Sequence, residues 1–443
     1  MQADNSTALE DQAPAKRLWQ LSWPIMLSNA SVPLLGLVDT AVVGHLDDSR
    51  HLAAVALGAS AFSLLFWAFG FLRMGTTATL SQAFGRRDGT ELRLGLAQAI
   101  VTALCLGLLM ILLQLPLMAL LKLIYAPGES IAGTVDTYLH IRIWSAPATL
   151  LNYVLLGSLL ALQQARAPVL MMLSVNLTNI VLDAWLGLGL GWNSAGVAAA
   201  SVIAEYVGSL CGLWLVMGQL KRLPGAWPTR QALQQSPWRR LFKSHRDLFI
   251  RTLCLLGVLT WMTRQGSLLG ANVLAANAIL LQGMSLTSYV LDGFAQAVEA
   301  LTGAAWGQQN RERLTRVIKA AAWLSGLTAL GWTLLFAVAG LPLAHLLTSV
   351  PEVLALIDTY LPWLILMPLV AVWSYLFDGL LIGTSQFRLM RDSILLASAG
   401  FILCWYCTQS YENSGLWLAY WVFFIIRTGV VSVMSLRLIR RGA

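Results

Sequence analysis

Charged residues are scarce in this sequence, and their scarcity excludes a soluble globular protein. Asp, Glu, Lys and Arg make up only 11% of the 443 residues, whereas 57% are hydrophobic. Soluble globular domains carry charge on about 25% of their residues. Histidine is also rare, with five copies, and no HExxH, P-loop or G-x-S-x-G motif stands in a suitable context. The sequence therefore supports neither an enzyme nor an ATP-driven pump, and no cofactor or metal is expected.

Cysteine is equally sparse, and its positions favour packing over chemistry. All five cysteines lie inside long apolar stretches, including Cys404 and Cys407 of the segment CWYC. These two have no histidine or acidic neighbours that could complete a metal site. The first seventeen residues carry Asp4, Glu10 and Asp11 without an apolar core, so no cleaved signal peptide is expected.

Long apolar stretches recur through nearly the whole chain. A hydrocarbon core about 30 Å thick needs roughly 20 helical residues to cross it, and twelve stretches are long enough. They predict an all-α integral membrane protein with twelve transmembrane helices. The predicted spans 1 to 12 are 18–43, 52–80, 94–120, 135–161, 168–190, 195–218, 247–270, 273–300, 314–340, 354–383, 392–409 and 414–437.

The basic residues orient these spans. If the N-terminus is cytoplasmic, 24 of the 29 Lys and Arg lie in or beside cytoplasmic segments, the largest group running from Lys221 to Arg251. This is the positive-inside pattern with both termini cytoplasmic, so the net charge of +8 indicates no nucleic-acid partner. The expected organisation is a cytoplasmic tail 1–17, an N-lobe 18–218, a cytoplasmic linker 219–246 and a C-lobe 247–443.

A shift of 222 residues aligns the two halves of the chain. It superposes AFGRRDGTELR, which begins at Ala83, on AWGQQNRERLT, which begins at Ala305. Six spans per repeat is an even number, so both halves enter the membrane in the same direction and are related by an axis along the membrane normal. Two such six-helix repeats are expected to enclose a cavity, the usual place of a transporter site.

Carboxylates inside the spans are the candidates for function. Each costs about 2.5 to 3.5 kcal/mol at the centre of a spanning helix, so it needs a partner, water or a proton. Asp39 lies about five residues before the outer end of span 1, Asp183 seven before that of span 5, and Ser201 seven residues into span 6. Asn179 shares the helical face of Asp183, four residues earlier. We therefore expect these four residues to lie at the same depth in the membrane. Two carboxylates close together favour a site that binds H⁺ or Na⁺ over a purely structural hydrogen bond.

The second half lacks this set, which predicts an asymmetric function on a symmetric scaffold. The 222-residue shift places Trp261 and Trp405 where the first half has its two carboxylates. The same shift sets Glu205 against Arg427, and a buried ion pair between them is one hypothesis, structural rather than functional.

Further polar residues are candidates for a substrate pathway: Asn152, Asn176, Asp292 and Asp378. Asp292 and Asp378 lie towards the cytoplasmic side of the second half. They are expected either to line an inward-facing vestibule or to pair with Arg388 or Arg391. These two alternatives stay open at the level of sequence.

Span 1 also contains Pro24 and Pro33. Each proline removes a backbone hydrogen bond and can kink the helix, although proline in spanning helices is often inert. We expect them to let span 1 bend when the charge of its carboxylate changes.

Four motifs together resemble the MATE (multidrug and toxic compound extrusion) family, and in particular its DinF-like branch. They are PLLGLVDTAVVGHL in span 1, SQAFGRRDG after span 2, NIVLD in span 5 and LLGLGLGWNSAGVAAASVIAEY leading into span 6. The likeness extends over nearly the whole chain. It implies V-shaped lobes around a central cavity and efflux of lipophilic, often cationic compounds in exchange for inward H⁺ or Na⁺.

The resemblance also implies where the coupling ion binds. In that branch the cation site lies in the N-terminal lobe, and its motifs fall here on Asp39, Asn179, Asp183 and Ser201. Ser201 stands where the family commonly has threonine, so the hydroxyl is kept. Leu35 stands where some relatives have tyrosine, which weakens the case for full Na⁺ coordination.

The resulting expectation is a multi-pass, monomeric antiporter of the bacterial inner membrane, with H⁺ favoured over Na⁺ as the coupling ion. Its partners would be the lipid bilayer and small lipophilic or cationic substrates. A lipid-linked precursor flippase is a second hypothesis, but it would need a cavity rich in Arg and Lys, whereas only Arg142, Arg264 and Arg427 lie within spans. A channel or a purely structural membrane protein is the third.

Overall fold

The computed structural model describes residues 14–44, 48–126 and 128–441, with the backbone alone at 30–43, 49, 240 and 441. Within these ranges the chain is built of α-helices joined by short turns, with two short 3₁₀ turns and one π-helical segment. No β-strand occurs in the ranges just given. The predicted all-α fold is confirmed.

All twelve predicted spans are helical. In chain order the spans are Pro14–Val43; Ser49–Trp67 with Phe71–Gly85; Gly89–Leu112 with Gln114–Tyr125; Glu129–Arg142 with Ala146–Ala161; Ala167–Leu182 with the π-helix Asp183–Gly189; Asn193–Leu220; Trp238–Leu269; Ala271–Gly307; Arg311–Leu347; Pro351–Gly383; Phe387–Thr408; and Glu412–Arg441. Most extend past the predicted apolar stretch at one or both ends, because polar residues continue a helix beyond the hydrocarbon core. Span 7 shows the largest difference, since it begins at Trp238, inside the predicted linker.

The outer surfaces of these helices are apolar, as a lipid environment requires. Leu112, Val338 and Leu346 are 79%, 80% and 81% exposed. Among the described residues, nine helical stretches are long and apolar enough to cross a membrane, and one of them, Phe387–Arg440, contains two helices. The chain is a multi-pass membrane protein.

The chain divides into two compact units, residues 27–238 and residues 1–26 with 239–443. The beginning of span 1 belongs to the second unit, where the ring of Trp19 lies 6.2 Å from that of Phe294 on span 8. The apolar core of this unit includes the buried rings of Phe401, Trp417 and Phe423. The predicted lobe boundaries at 18, 218 and 247 stay predictions.

The turns after spans 2 and 8 have the same backbone structure. Arg87 and Gln309, 222 residues apart, have left-handed φ values of 58° and 55°. Asp88 and Asn310 then cap the helices that follow, with Oδ1 of each accepting a backbone N–H three residues on, at 2.8 Å in both cases. A side-chain oxygen at this position satisfies an otherwise unpaired helix N–H. The internal repeat read from the sequence is therefore present in the turns themselves.

The same repeat appears in the packing of helix on helix. A Cβ added at Gly157 of span 4 would lie 2.6 Å from the carbonyl oxygen of Arg73 on span 2. A Cβ added at Gly379 of span 10 would lie 2.5 Å from that of Ala295 on span 8. Gly157 and Gly379 are 222 residues apart, and so are Arg73 and Ala295. Each half therefore brings its second and fourth spans together at the equivalent glycine. Close approach of spanning helices commonly depends on small residues of this kind.

Replacing either glycine by alanine should destabilise the protein. Gly157→Ala and Gly379→Ala each force a methyl group against a backbone oxygen, and overpacking of this kind costs about 1 to 3 kcal/mol. We expect a lower melting temperature for each purified variant in detergent. Gly326→Ala is the matched control, because nothing lies within 4 Å of its added Cβ and alanine favours the helix by about 1 kcal/mol. Equal melting temperatures for Gly157→Ala and Gly326→Ala would contradict this packing.

Candidate functional site

The predicted ion site lies partly on span 5, at the point where the α-helix changes to a π-helix. Asn179 Nδ2 donates a hydrogen bond of 2.9 Å to Asp183 Oδ2, and the two side chains are only 1% and 0% exposed. Asp183 is the first residue of the π-helix Asp183–Gly189. Short π-helical segments within α-helices are rare and are frequent at functional sites.

Span 6 packs closely against this π-helical segment. A Cβ added at Gly196, near the start of span 6, would lie 2.7 Å from the carbonyl oxygen of Leu186. The same oxygen accepts a hydrogen bond of 3.1 Å from Trp192 N, which closes the turn between the two spans. Ser201 follows on span 6 and is buried, with 7% exposure.

Three of the four residues predicted for the ion site are thus buried on two helices that pack on each other. The fourth, Asp39, lies on the helical backbone of span 1, but its side chain falls outside the described part of the structure. The same holds for the side chain of Pro33. Pro24 is buried, and the helix Pro14–Val43 continues through both prolines. The joint ion site and the bending of span 1 stay predictions.

The second half has no counterpart of the buried carboxylate on span 5. Trp405, at the position equivalent to Asp183, is 6% exposed and belongs to the apolar core of its unit. Trp261, at the position equivalent to Asp39, packs against the same core. The two halves share a scaffold but differ in polarity at these positions.

A second polar network crosses the first half at Asn152, one of the residues predicted for a substrate pathway. Asn152 Nδ2 donates hydrogen bonds to Glu205 Oε2 at 2.7 Å and to the Glu205 backbone oxygen at 2.9 Å. Asn152 Oδ1 accepts a bond of 2.9 Å from Ser209 Oγ. Ser201, Glu205 and Ser209 follow each other at intervals of four, so they share one face of span 6.

Arg142 supplies the positive charge beside Glu205. Its Nη2 lies 3.7 Å from Glu205 Oε1, and the guanidinium carbon lies 5.8 Å and 5.6 Å from the ring centroids of Phe62 and Phe66. Arg142 also donates to Ser145 Oγ. Desolvated guanidinium groups are attracted to aromatic faces, so span 2 and span 6 both contribute to holding this arginine.

The hypothesis that Glu205 pairs with Arg427 stays a prediction, because the two residues belong to different units. Glu205 has its partners on span 4, and Arg427 donates to Asp378 on span 10. The 222-residue alignment of the two is nevertheless meaningful, since each links the sixth helix of its half to the fourth. The sign of the charge at this position is reversed between the halves.

Asp378 is held by two arginines. Arg251 Nη2 lies 2.7 Å from Asp378 Oδ2, with the two side chains 11% and 7% exposed, and Arg427 donates to the same oxygen. Arg251, expected among the cytoplasmic basic residues, instead lies on span 7 with only 11% of its side chain exposed. The sequence indicated this location, because Arg251 lies four residues inside the predicted span 247–270.

The alternative pairing of Asp378 with Arg388 or Arg391 is wrong. Arg391 Nη1 lies 2.8 Å from Asp247 Oδ1, and Arg388 Nε lies 3.8 Å from Asp392 Oδ2. Both arginines therefore bind acidic residues of spans 7 and 11.

The remaining two candidates for a substrate pathway are half-buried. Asn176 lies on span 5 and Asp292 on span 8. Asp292 acts electrostatically on Arg251 and on Tyr375, whose hydroxyl shares a hydrogen bond of 2.6 Å with Ser288. Their part in a substrate pathway stays a prediction.

Histidine, cysteine and acidic side chains do not gather into a metal site in the described ranges of the chain, where no group of three or more has suitable geometry. Cys404 and Cys407 are free thiols, and Cys404 packs against the apolar core of its unit.

Neutralising Asp378 should unfold the second half more readily. In Asp378→Asn, two buried guanidinium groups lose their shared carboxylate, and breaking a buried pair in this way costs about 3 to 5 kcal/mol. We expect a clear drop in the melting temperature in detergent, whereas Asp358→Asn, at an exposed site, should melt like the parent. The triple variant R251M/D378M/R427M should recover part of the loss, because it leaves no buried charge. A parent-like melting temperature for Asp378→Asn would contradict a stabilising role.

The chain matches the MatE family model over residues 24–185 and 250–405. It is 42% identical over 412 residues to DNA damage-inducible protein F of Escherichia coli (strain K12), covering 93% of this chain and 90% of that protein. It is 26% identical over 196 residues to multidrug export protein MepA of Staphylococcus aureus (strain NCTC 8325 / PS 47), covering 44% and 43% of the two chains.

Solved structures show the same fold. A crystal structure of MATE in the bent conformation matches with a TM-score of 0.86 at 20% identity, over 98% of this chain and 97% of that chain. An outward-facing multidrug resistance MATE family transporter matches with a TM-score of 0.83 at 22% identity, over 98% and 97%. The predicted two-repeat architecture and the resemblance to the DinF-like branch are both confirmed, and the chain belongs to the MATE family.

Proposed function

We propose that this protein is an H⁺-coupled antiporter that exports lipophilic, often cationic small molecules across the bacterial inner membrane by alternating access. Membership of the MATE family supports transport, and the relative named multidrug export protein MepA supports this class of substrate. The observation that carries the coupling is the buried Asn179–Asp183 pair, present in one half and replaced by Trp405 in the other. Both termini are proposed to be cytoplasmic, and the protein to act as a monomer.

The proton would bind where a negative charge is hardest to keep. A carboxylate buried inside a spanning helix is costly, and the hydrogen bond from Asn179 offsets part of that cost. Protonation of Asp183 removes the charge, while Asp183 Oδ2 can still accept the bond from Asn179. Asp39 and Ser201 would complete the site once span 1 brings Asp39 to the same depth.

Coupling would follow from competition between drug and proton. Protons from the outside would reach Asp39 and Asp183 in an outward-facing state, and span 1 would then bend near Pro24 and Pro33 and expel the drug. The return step would carry the proton inward. Two ligands that exclude each other from one site couple their fluxes, and Asn152 and Asn176 are the proposed polar contacts along the drug pathway.

A proton is the proposed coupling ion rather than Na⁺, because Leu35 stands where some relatives have a tyrosine, which weakens the case for full Na⁺ coordination. Na⁺ coupling is the alternative, with the same four residues as ligands. A lipid-linked precursor flippase is less well supported, because Arg142 and Arg427 are already held by Glu205 and Asp378.

Removing either carboxylate charge should uncouple transport. In proteoliposomes, addition of tetraphenylphosphonium, a lipophilic cation, should release protons from the parent protein, and Asp39→Asn or Asp183→Asn should abolish that release because neither amide titrates. Asp136→Asn is the control, since Asp136 is 40% exposed and pairs with Lys122. Unchanged proton release in either variant would contradict the assignment.

The identity of the coupling ion can be tested independently of the binding residues by imposing a pH gradient and a Na⁺ gradient separately. We expect a pH gradient alone to drive tetraphenylphosphonium export from proteoliposomes, and a Na⁺ gradient at equal pH on both sides to drive little or none, because protonation is the charge-neutralising step. Protein-free liposomes and Asp183→Asn vesicles provide the leak rates. Export driven by Na⁺ alone would replace H⁺ by Na⁺ in the proposal while leaving the four residues in place.

A further inference from the structure

The chain that leaves span 6 is tied down to the start of span 3. Arg93 is only 5% exposed. Its Nη1 donates to the Gly89 oxygen at 2.9 Å, and its Nη2 donates to the oxygens of Leu220 and Leu223 at 2.7 and 2.9 Å. The end of span 6 and the first residues after it are therefore fixed to span 3 by one buried side chain.

Residues 221–230, which we name the strap, continue along the same surface. Ala226 N donates to Thr90 Oγ1 at 3.2 Å. A Cβ at Gly225, whose φ is +156°, would lie 2.5 Å from the Gly89 carbonyl carbon, so only glycine allows this contact. The guanidinium carbon of Arg93 lies 5.7 Å from the ring centroid of Trp227. The strap is thus a defined surface of its unit.

This surface carries an excess of positive charge. The strap and the turn 86–93 together hold six basic and two acidic side chains. Of the two acids, Asp88 accepts the N–H groups of Thr90 and Glu91, and Glu91 pairs with Arg86 at 2.6 Å. Both acids of this surface thus have partners within the turn 86–93.

Three strap cations extend into solvent: Lys221, Arg222 and Arg230. Across the described ranges of the chain, no carboxylate lies within ion-pair distance of them. Trp227, between them in sequence, is 49% exposed. Exposed cations around a half-exposed tryptophan form a surface of the kind that membrane headgroups bind.

The position of the strap in the fold decides what can reach it. Span 3 begins at Gly89 and span 6 ends at Leu220, and Arg93 joins these two ends, so the strap lies where two spanning helices leave the membrane. Tryptophan prefers this level because its ring is apolar and its N–H is polar. The nearest abundant anions at this level are the phosphates of the lipids.

We propose that the strap and the Arg86–Arg87 turn form a binding surface for the headgroup of an anionic phospholipid. Each basic residue near a membrane surface adds to the attraction for anionic lipid. Because Arg93 holds the strap in place before binding, little conformational freedom is lost when the headgroup binds. The inference depends on membrane insertion, which family membership establishes, and not on the coupling ion or the exported substrate.

The test compares two lipids on the full-length protein purified in detergent. Native mass spectrometry would measure the apparent affinities for dioleoylphosphatidylglycerol, which is anionic, and dioleoylphosphatidylcholine, which is zwitterionic. We expect the parent to prefer the anionic lipid, and K221Q/R222Q/R230Q to lower that preference roughly 30-fold to 100-fold, since three cations that each contribute about threefold to fivefold are removed. The matched control R311Q/R316Q/K319Q removes three basic residues from span 9 and should keep the preference.

Two results would overturn the proposal. One is an unchanged preference in K221Q/R222Q/R230Q, and the other is an equal loss in the control, which would reduce the effect to net charge. Inorganic phosphate, added at millimolar concentration, should leave phosphatidylglycerol bound; full displacement would assign the surface to free phosphate and also overturn the proposal.

Two single substitutions keep the test decisive if the triple variant does not yield folded protein. Arg222→Gln alone should lower the preference about threefold to fivefold, because one exposed cation is lost. Trp227→Phe should retain most of the preference and Trp227→Ala should lose more, because the aromatic ring anchors the surface at the headgroup level. Parent-like behaviour of Arg222→Gln together with Trp227→Ala would reject the surface.

Discussion

The structure depends on one constraint, the cost of placing a charge inside an apolar helix bundle. Among the described residues, two carboxylates inside spans show this: Glu205 is held by Asn152 and Arg142, and Asp378 by Arg251 and Arg427. Each of these contacts joins helices that are far apart in the chain. Burial of a charge thus forces specific helix pairs together, and the Asn179–Asp183 pair follows the same rule within a single helix.

Hydropathy and the internal repeat made most of the fold predictable from sequence. A spanning helix has to be apolar over its whole crossing, so a run of consecutive apolar residues predicts its location. The duplicated turn at Arg87 and Gln309 indicated the two halves. The helix ends were less predictable, because residues beyond the hydrocarbon core follow local helix preference. Span 7 therefore starts at Trp238, among the polar residues of the predicted linker.

Charge pairing was predictable only where it is local. Asn179 and Asp183 are four residues apart, so helical geometry alone brings them together. The partners of Glu205 and Asp378 lie on other helices, and the 222-residue alignment related Glu205 to Arg427 without revealing that each binds within its own unit. The π-helix at Asp183 had no clear sequence signal apart from the glycines at 187 and 189.

The twin contacts at Gly157 and Gly379 carry an evolutionary consequence. A duplicated six-helix segment keeps the backbone contact between its second and fourth helices only while both copies keep the glycine, since an added Cβ would press on a carbonyl oxygen in either half. The polar residues do not have to be the same in both copies. One copy could keep a carboxylate at position 183 while the other filled the matching site with a tryptophan, so inheritance of the scaffold and specialisation of its chemistry proceeded separately.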